Sequence, residues 1–135
     1  MRIAALLRAA ILTAATFGAT NAVADETGQS LYMDACSTCH GANAMGQGPL
    51  AEFMTVKVPS LRELTATNDG VFPMLKVIQI IDGRTGVRGH GSEMPVWGRQ
   101  FQAEMIDQAE IYGAEVYARG KVLSLAYYLE SIQTE

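Results

Sequence analysis

Apolar residues recur at helical spacing in three stretches of this chain, with glycine-rich segments between them. From Glu26 to Thr38, Leu31, Ala35 and Thr38 fall at that spacing with Gly28 and Tyr32, which predicts a first helix. Gly41, Gly46, Gly48 and Pro49 then break the period into a loop. Pro59–Leu64 reads as one helical turn or two. Asn68-Asp69 predicts a cap ahead of a further helix carrying Phe72, Leu75, Val77, Ile78, Ile80 and Ile81, stopped by Gly83. This stretch is apolar around much of its circumference and should be largely buried. Its β-branched run Val77–Ile81 also fits a strand, but no partner strand is apparent. Gly83–Gly98 holds six residues of the type that punctuate structure (Gly83, Gly86, Gly89, Gly91, Pro95 and Gly98), and a loop of that length in a small domain is usually functional. A last helix runs from about Gln108 to Ile132 with Val122, Leu125, Leu129 and Ile132 as its inner stripe, and Gly113 and Gly120 weaken its early turns. The pattern predicts an all-α fold.

The first 24 residues stand apart. Arg2 gives a positive start, an alanine-rich apolar stretch follows from about Ala9 to Ala19, and Ala22-Val23-Ala24 fits the small-x-small rule for signal cleavage. A signal peptide over 1–24 is expected, leaving a single domain over 25–135. The apolar run, bracketed by Arg8 and Asn21, is short for a membrane span, so no stable insertion is expected; an uncleaved anchor is the alternative. Removing Arg2 and Arg8 leaves 8 basic against 14 acidic side chains, a formal charge of −6 over 111 residues. An acidic surface argues against nucleic acid and anionic membranes, and permits a basic protein partner.

Candidate chemistry concentrates at Cys36-Ser37-Thr38-Cys39-His40, which spells C-x-x-C-H, the attachment signature of a c-type haem. Two thiols at this spacing add to the two porphyrin vinyl groups, and the adjacent histidine is thereby held under the iron as its proximal ligand. Cys36 and Cys39 are the only cysteines of the chain. Three other readings compete. A dithiol redox motif expects a preceding strand and a βαβ pattern, which are not visible. The pair also fits a small disulfide loop. Half of a zinc site would want four ligands, and only Cys36, Cys39, His40 and the distant His90 are on offer. Covalent haem attachment takes place outside the cytoplasm in bacteria, so motif and signal agree on the periplasm. An all-α chain with long loops makes sense if the loops wrap a flat apolar cofactor.

His40 leaves one axial position of the iron to fill. Met33 precedes His40 too closely, Met45 and Met54 lie in or near the loop expected on the proximal side, and Met74 has packing as its default role. Met94 sits in Glu93-Met94-Pro95-Val96-Trp97-Gly98, a proline-stiffened segment after a glycine-rich approach, suited to hold a thioether over the distal face. His90, on the same loop, is the rival.

With these residues the chain resembles the class I monohaem cytochromes c over nearly all of Asp25–Glu135. Gly28-x-x-x-Tyr32-x-x-x-Cys36-x-x-Cys39-His40 is similar to the family's entry motif, whose small residue lets the terminal helix cross closely; Leu125-x-x-Tyr128-Leu129 is the matching segment. The resemblance implies a small cytochrome c fold, with about four to five helices and long loops round one covalent haem. It also implies that Pro49, in Gly48-Pro49-x-Ala51, offers its carbonyl to His40. Met94-Pro95-Val96-Trp97-Gly98 resembles the distal methionine motif of many bacterial members, which places Trp97 against the cofactor. Arg88 and Arg99 are candidates for the haem propionates, or, with Arg84, for a positive rim beside the haem crevice.

A haem with two protein ligands has no open position for substrate and passes one electron at a time. The expected function is a periplasmic electron carrier rather than an enzyme. Its donor would be a dehydrogenase or a bc1-type complex and its acceptor an oxidase or reductase. A fixed cytochrome subunit of a periplasmic dehydrogenase is the alternative. A peroxidase-like enzyme using His90, Glu93 and Arg88 is a weaker one.

Overall fold

A computed structural model describes residues 20–84 and 94–134 of the chain. Helix α1 covers Thr20–Ala35, helix α2 Ser37–His40, helix α3 Met74–Asp82 and the helical stretch α4 Trp97–Ser131, with one 3-10 turn at Ala51–Phe53. No strand occurs among the described residues, so Val77–Ile81 is helical.

Packing is organised by α4, which lies against both α1 and α3. The seam with α1 is closed by Gly28. A Cβ there would sit 2.4 Å from the Ser124 carbonyl oxygen and 2.6 Å from the Tyr128 Cβ. The absence of a side chain therefore lets two backbones touch, as expected from the entry motif. One turn on, the fully buried Tyr32 meets Tyr128 with ring centroids 5.4 Å apart. Its hydroxyl donates to the Gly41 carbonyl at 2.6 Å, so the aromatic ring fills the core while its polar tip is satisfied. Val122, Leu125 and Leu129 are buried as the stripe predicted, and Ile132 packs on the same cluster just beyond the helix end.

Several expectations need correction. The first helix begins at Thr20 and is interrupted at Cys36 before the short α2. The expected helical turn over Pro59–Leu64 is a run of bends and turns. Its backbone is pinned by distant partners instead: Leu61 N–H donates to Ala44 (2.8 Å) and Thr134 N–H to the Arg62 carbonyl (2.9 Å), and Gln133 reaches Thr65 N–H (2.9 Å) and the Leu61 carbonyl (2.8 Å). Asn68-Asp69 does not cap α3. Asp69 and Gly70 take positive φ values of 55° and 76°, Asn68 donates to the Val71 carbonyl, and the helix opens after Pro73, leaving Phe72 outside it. The stop at Gly83 stands, with a left-handed φ of 69° and its N–H on the Gln79 carbonyl, as glycine permits at no steric cost.

The largest departure lies in α4. Its second arm, 111–131, is the last helix expected from about Gln108, but a further arm over 97–109 precedes it, and Glu110 between them is non-helical, at φ 53° and ψ 179°. The two arms, 97–109 and 111–131, fold toward each other there. Gln102 reaches Glu115 at 3.4 Å, Lys121 pairs with Glu104 at 2.5 Å, and the Lys121 ammonium lies 4.8 Å from the Phe101 ring centroid. Residues 17 and 20 positions apart could not meet along a straight helix rising about 1.5 Å per residue. Ala114 and Ala118 are both fully buried, and such small residues let neighbouring chain approach closely.

Candidate haem-binding site

The C-x-x-C-H segment is held as one rigid turn. Cys36 N–H donates to Tyr32 and His40 N–H to the Cys36 carbonyl, each at 2.9 Å. The carbonyls at the end of α2 are then taken by the following loop: Gly41 N–H on Ser37 (2.7 Å), Gly48 N–H on Cys39 (3.0 Å), Leu50 N–H on Thr38 (2.9 Å) and Gly46 N–H on His40 (2.8 Å). These are the groups that a helix end leaves without partners. Gly48 makes the arrangement possible, because a Cβ there would stand 2.4 Å from the Thr38 oxygen and 2.6 Å from that of Ser37. The loop wraps the motif backbone to backbone.

His40 is buried, and burial lowers its pKa below the ordinary imidazole value, opposed in part by a hydrogen bond to the Pro59 carbonyl. That bond runs from Nδ1 at 3.2 Å. A carbonyl only accepts, so Nδ1 carries the proton and Nε2 keeps its lone pair, as metal ligation requires. The proline expected to do this was Pro49, which is exposed on the surface; the orienting carbonyl belongs to Pro59. Gly46 explains the difference: at φ 78° its Cβ position lies 2.4 Å from the Val58 oxygen and 3.0 Å from that of Pro59, so the chain returns through residues 58–59 directly against the loop after His40. Four prolines follow the motif in the sequence, and no local signal chooses among them.

Cys36 is buried and Cys39 partly so, and both thiols are unbridged. Burial, with Cys39 beside it, pushes the Cys36 thiol up to about 12. A dithiol redox motif needs the opposite, a thiolate stabilised near neutral pH. Nor do three His, Cys, Asp or Glu side chains gather round an ion position among the described residues. Paired thiols on one turn beside a neutral, oriented imidazole do suit a haem, which also needs an apolar lining. The core around Cys36 supplies it with Val77, Ile81 and Phe101, flanked by Leu61, Leu64, Phe72, Met74, Met94 and Trp97.

The structure thus brings Met94 and Trp97 to the cluster that contains Cys36, and Trp97 stacks on Phe101 with centroids 5.5 Å apart. Arg88, His90 and Glu93 lie outside the described residues, and Arg99 is exposed. Arg84 does not join a positive rim. Its guanidinium grips Asp82 from Nε to Oδ1 at 2.6 Å and from Nη2 to Oδ2 at 2.8 Å, and also pairs with Glu115, which Arg119 Nε holds at 2.6 Å. This network went unseen in the sequence, because Glu115 stands 31 positions from Arg84.

The Arg84 guanidinium holds the Asp82 carboxyl below the usual carboxylate range. A depressed folded value means that the pairing stabilises the fold above the unfolded aspartate value of about 3.9. The contribution fades as pH falls below that point, through the folded value. Asp82→Asn is expected to lower stability at neutral pH by about 1 kcal/mol, as for a partly solvated pair. The same change should flatten the decline in melting temperature below about pH 4. Melting curves of both proteins across that range check it; parallel curves would contradict the assignment.

Among known proteins, the chain is 36% identical over 93 residues to the cbb3-type cytochrome c oxidase subunit CcoP of Azospirillum brasilense. The match takes in 69% of this chain and 28% of that relative, so the chain spans less than a third of its length. No solved structure matches with significance. The cytochrome c family model matches residues 26–115, a span that runs from α1 through C-x-x-C-H and Met94 to the first turns after Glu110. The paired cysteines with their histidine and this family match agree: the chain belongs to the cytochrome c family, whose covalently bound haem c serves electron transfer.

Proposed function

We propose that Cys36 and Cys39 carry the haem through two thioethers, that His40 Nε2 and the Met94 thioether hold the iron, and that the protein is an exported one-electron carrier. When bound, the group supplies an Fe(III)/Fe(II) couple. The residues do the rest. Pro59 fixes the tautomer and ring orientation of His40. Val77, Ile81, Phe101 and Trp97 exclude water, which keeps reorganisation small. A soft sulfur donor favours the ferrous state. The single observation that carries this reading is the His40 Nδ1–H bond to the Pro59 carbonyl, set on a turn that holds both thiols.

The test is direct. Acid–acetone extraction of protein matured in a host competent for haem attachment should leave the colour with the polypeptide. Its mass should equal the chain from Asp25 plus one haem. Extractable haem would overturn the attachment, and a mass retaining residues 1–24 would overturn the cleavage.

A second reading is a fixed subunit of a larger redox assembly. The relative is named as an oxidase subunit, and the second arm of α4 turns Tyr112 (86% exposed), Val116, Leu123 and Tyr127 outward. They recur at intervals of 4, 7 and 4 positions along the sequence, which is one side of a helix. Co-purification from periplasm distinguishes the two: a free carrier elutes alone, a fixed subunit with its partners at fixed ratio. Among the described residues no helix is long and apolar enough to cross a membrane.

A further inference from the structure

Met94 stands three positions before the first residue of α4, and the ion pairs of Arg84 tie that end of α4 to the end of α3 and to the arm beyond Glu110. Asp82 is the last residue of α3. Gly98, in the first turn of α4, lies on the pair: a Cβ there would stand 2.5 Å from Asp82 Oδ1 and 2.7 Å from Arg84 Nε. Glu115, on the second arm of α4, accepts from Arg84, from Arg119 at 2.6 Å and from Gln102 at 3.4 Å. One guanidinium, 22% exposed, therefore joins the end of α3, the start of α4 and the arm beyond its break.

We propose that Arg84, held by Asp82 and Glu115, is a positioning residue for Met94, fixing the start of α4 from which Met94 extends so that the thioether stays on the iron. The proposal rests on the Met94 reading above. The physical reason is that a ligand is held as firmly as the element from which it extends. Fixing the start of α4 against the end of α3 disfavours arrangements in which the thioether has left, and so shrinks the population of the open state. The planar fork of arginine meets two carboxylates at once, which a lysine ammonium does not reproduce.

Added imidazole competes for the distal position of the ferric protein, and its apparent affinity scales with the fraction of molecules in which that position is open. Arg84→Gln and the milder Glu115→Gln are each expected to tighten imidazole binding by roughly tenfold, and the double variant by less than the product, because both remove one interaction. Arg84→Lys should not rescue. The control is Lys121→Met, which breaks the pair with Glu104 between the two arms of α4 without touching Asp82 or Arg84. It should lower the denaturation midpoint and leave imidazole affinity unchanged. Equal tightening in Lys121→Met would show a merely structural role and overturn the proposal, as would unchanged affinity in Arg84→Gln. The wild-type ferric spectrum separates the two layers. If it lacks the weak near-infrared band of iron–thioether bonding, the Met94 reading and the clamp fall together. If the band is present and imidazole affinity does not respond to Arg84→Gln, the clamp alone is wrong.

Discussion

Gly28→Val is expected to collapse the stability of the protein. A Cβ at this position would stand 2.4 Å from a backbone oxygen of α4 and 2.6 Å from the Cβ of Tyr128, and neither can rotate away. The helices must part along a seam that buries Tyr32 and Leu125 completely. Overpacking costs typically 1–3 kcal/mol; with backbone on the far side, about 3 kcal/mol or more is expected, out of a total on the order of 5–15. For a domain of this size that is a fall in melting temperature on the order of 10 °C. Alanine sharpens the test through its sign. In an open helical position Gly→Ala gains up to about 1 kcal/mol of helix propensity, and Gly120, with nothing within 4 Å of its Cβ position, should show that gain. Gly28→Ala should lose stability instead. Equal and opposite behaviour of the two sites, read from urea midpoints, supports the seam; a stabilising Gly28→Ala would refute it.

Met94→Ala should abolish the near-infrared band of the ferric protein and lower its potential. Axial ligands set haem potentials over roughly 0.8 V, and loss of the thioether should shift this one by at least the order of 0.1 V. The sign follows from softness: sulfur stabilises Fe(II) more than Fe(III), so removing it favours oxidation. The fold should survive, because Met94 only flanks the core cluster and is partly exposed. His90→Ala should leave the band in place. Reversed roles in that pair of variants would give the distal position to His90 and revive the enzyme reading. Unlike the change at Gly28, this substitution should alter the spectrum far more than the melting temperature.

Much of the site was legible because its signals are local. Two thiols and a histidine within five residues carry their chemistry in their spacing. Gly28, Tyr32 and Cys36 recur every fourth position, so one helix face is legible without any partner. Gly83 ends α3 through its own φ of 69°, and Val122, Leu125 and Leu129 mark their buried side by period alone. Helix starts were less legible: Asn68-Asp69 has cap chemistry, yet spends it on a turn that closes at Val71.

What the amino-acid sequence determined by itself was therefore the all-helical class, the C-x-x-C-H centre and the crossing of α1 with the last helix. Each rests on residues within a turn or two of one another or on a single helical stripe. Only the tertiary structure decided that Pro59, rather than Pro49, orients His40. It alone turned the chain at Glu110 to set Gln102 and Glu104 against Glu115 and Lys121, and drew Arg84 inward to Asp82 and Glu115. The physical reason is common to all three. A carbonyl, a guanidinium or a carboxylate takes whichever partner the packed backbones bring within about 3 Å, and that choice spans 19 residues for His40 and 31 for Arg84, far beyond the reach of any local period.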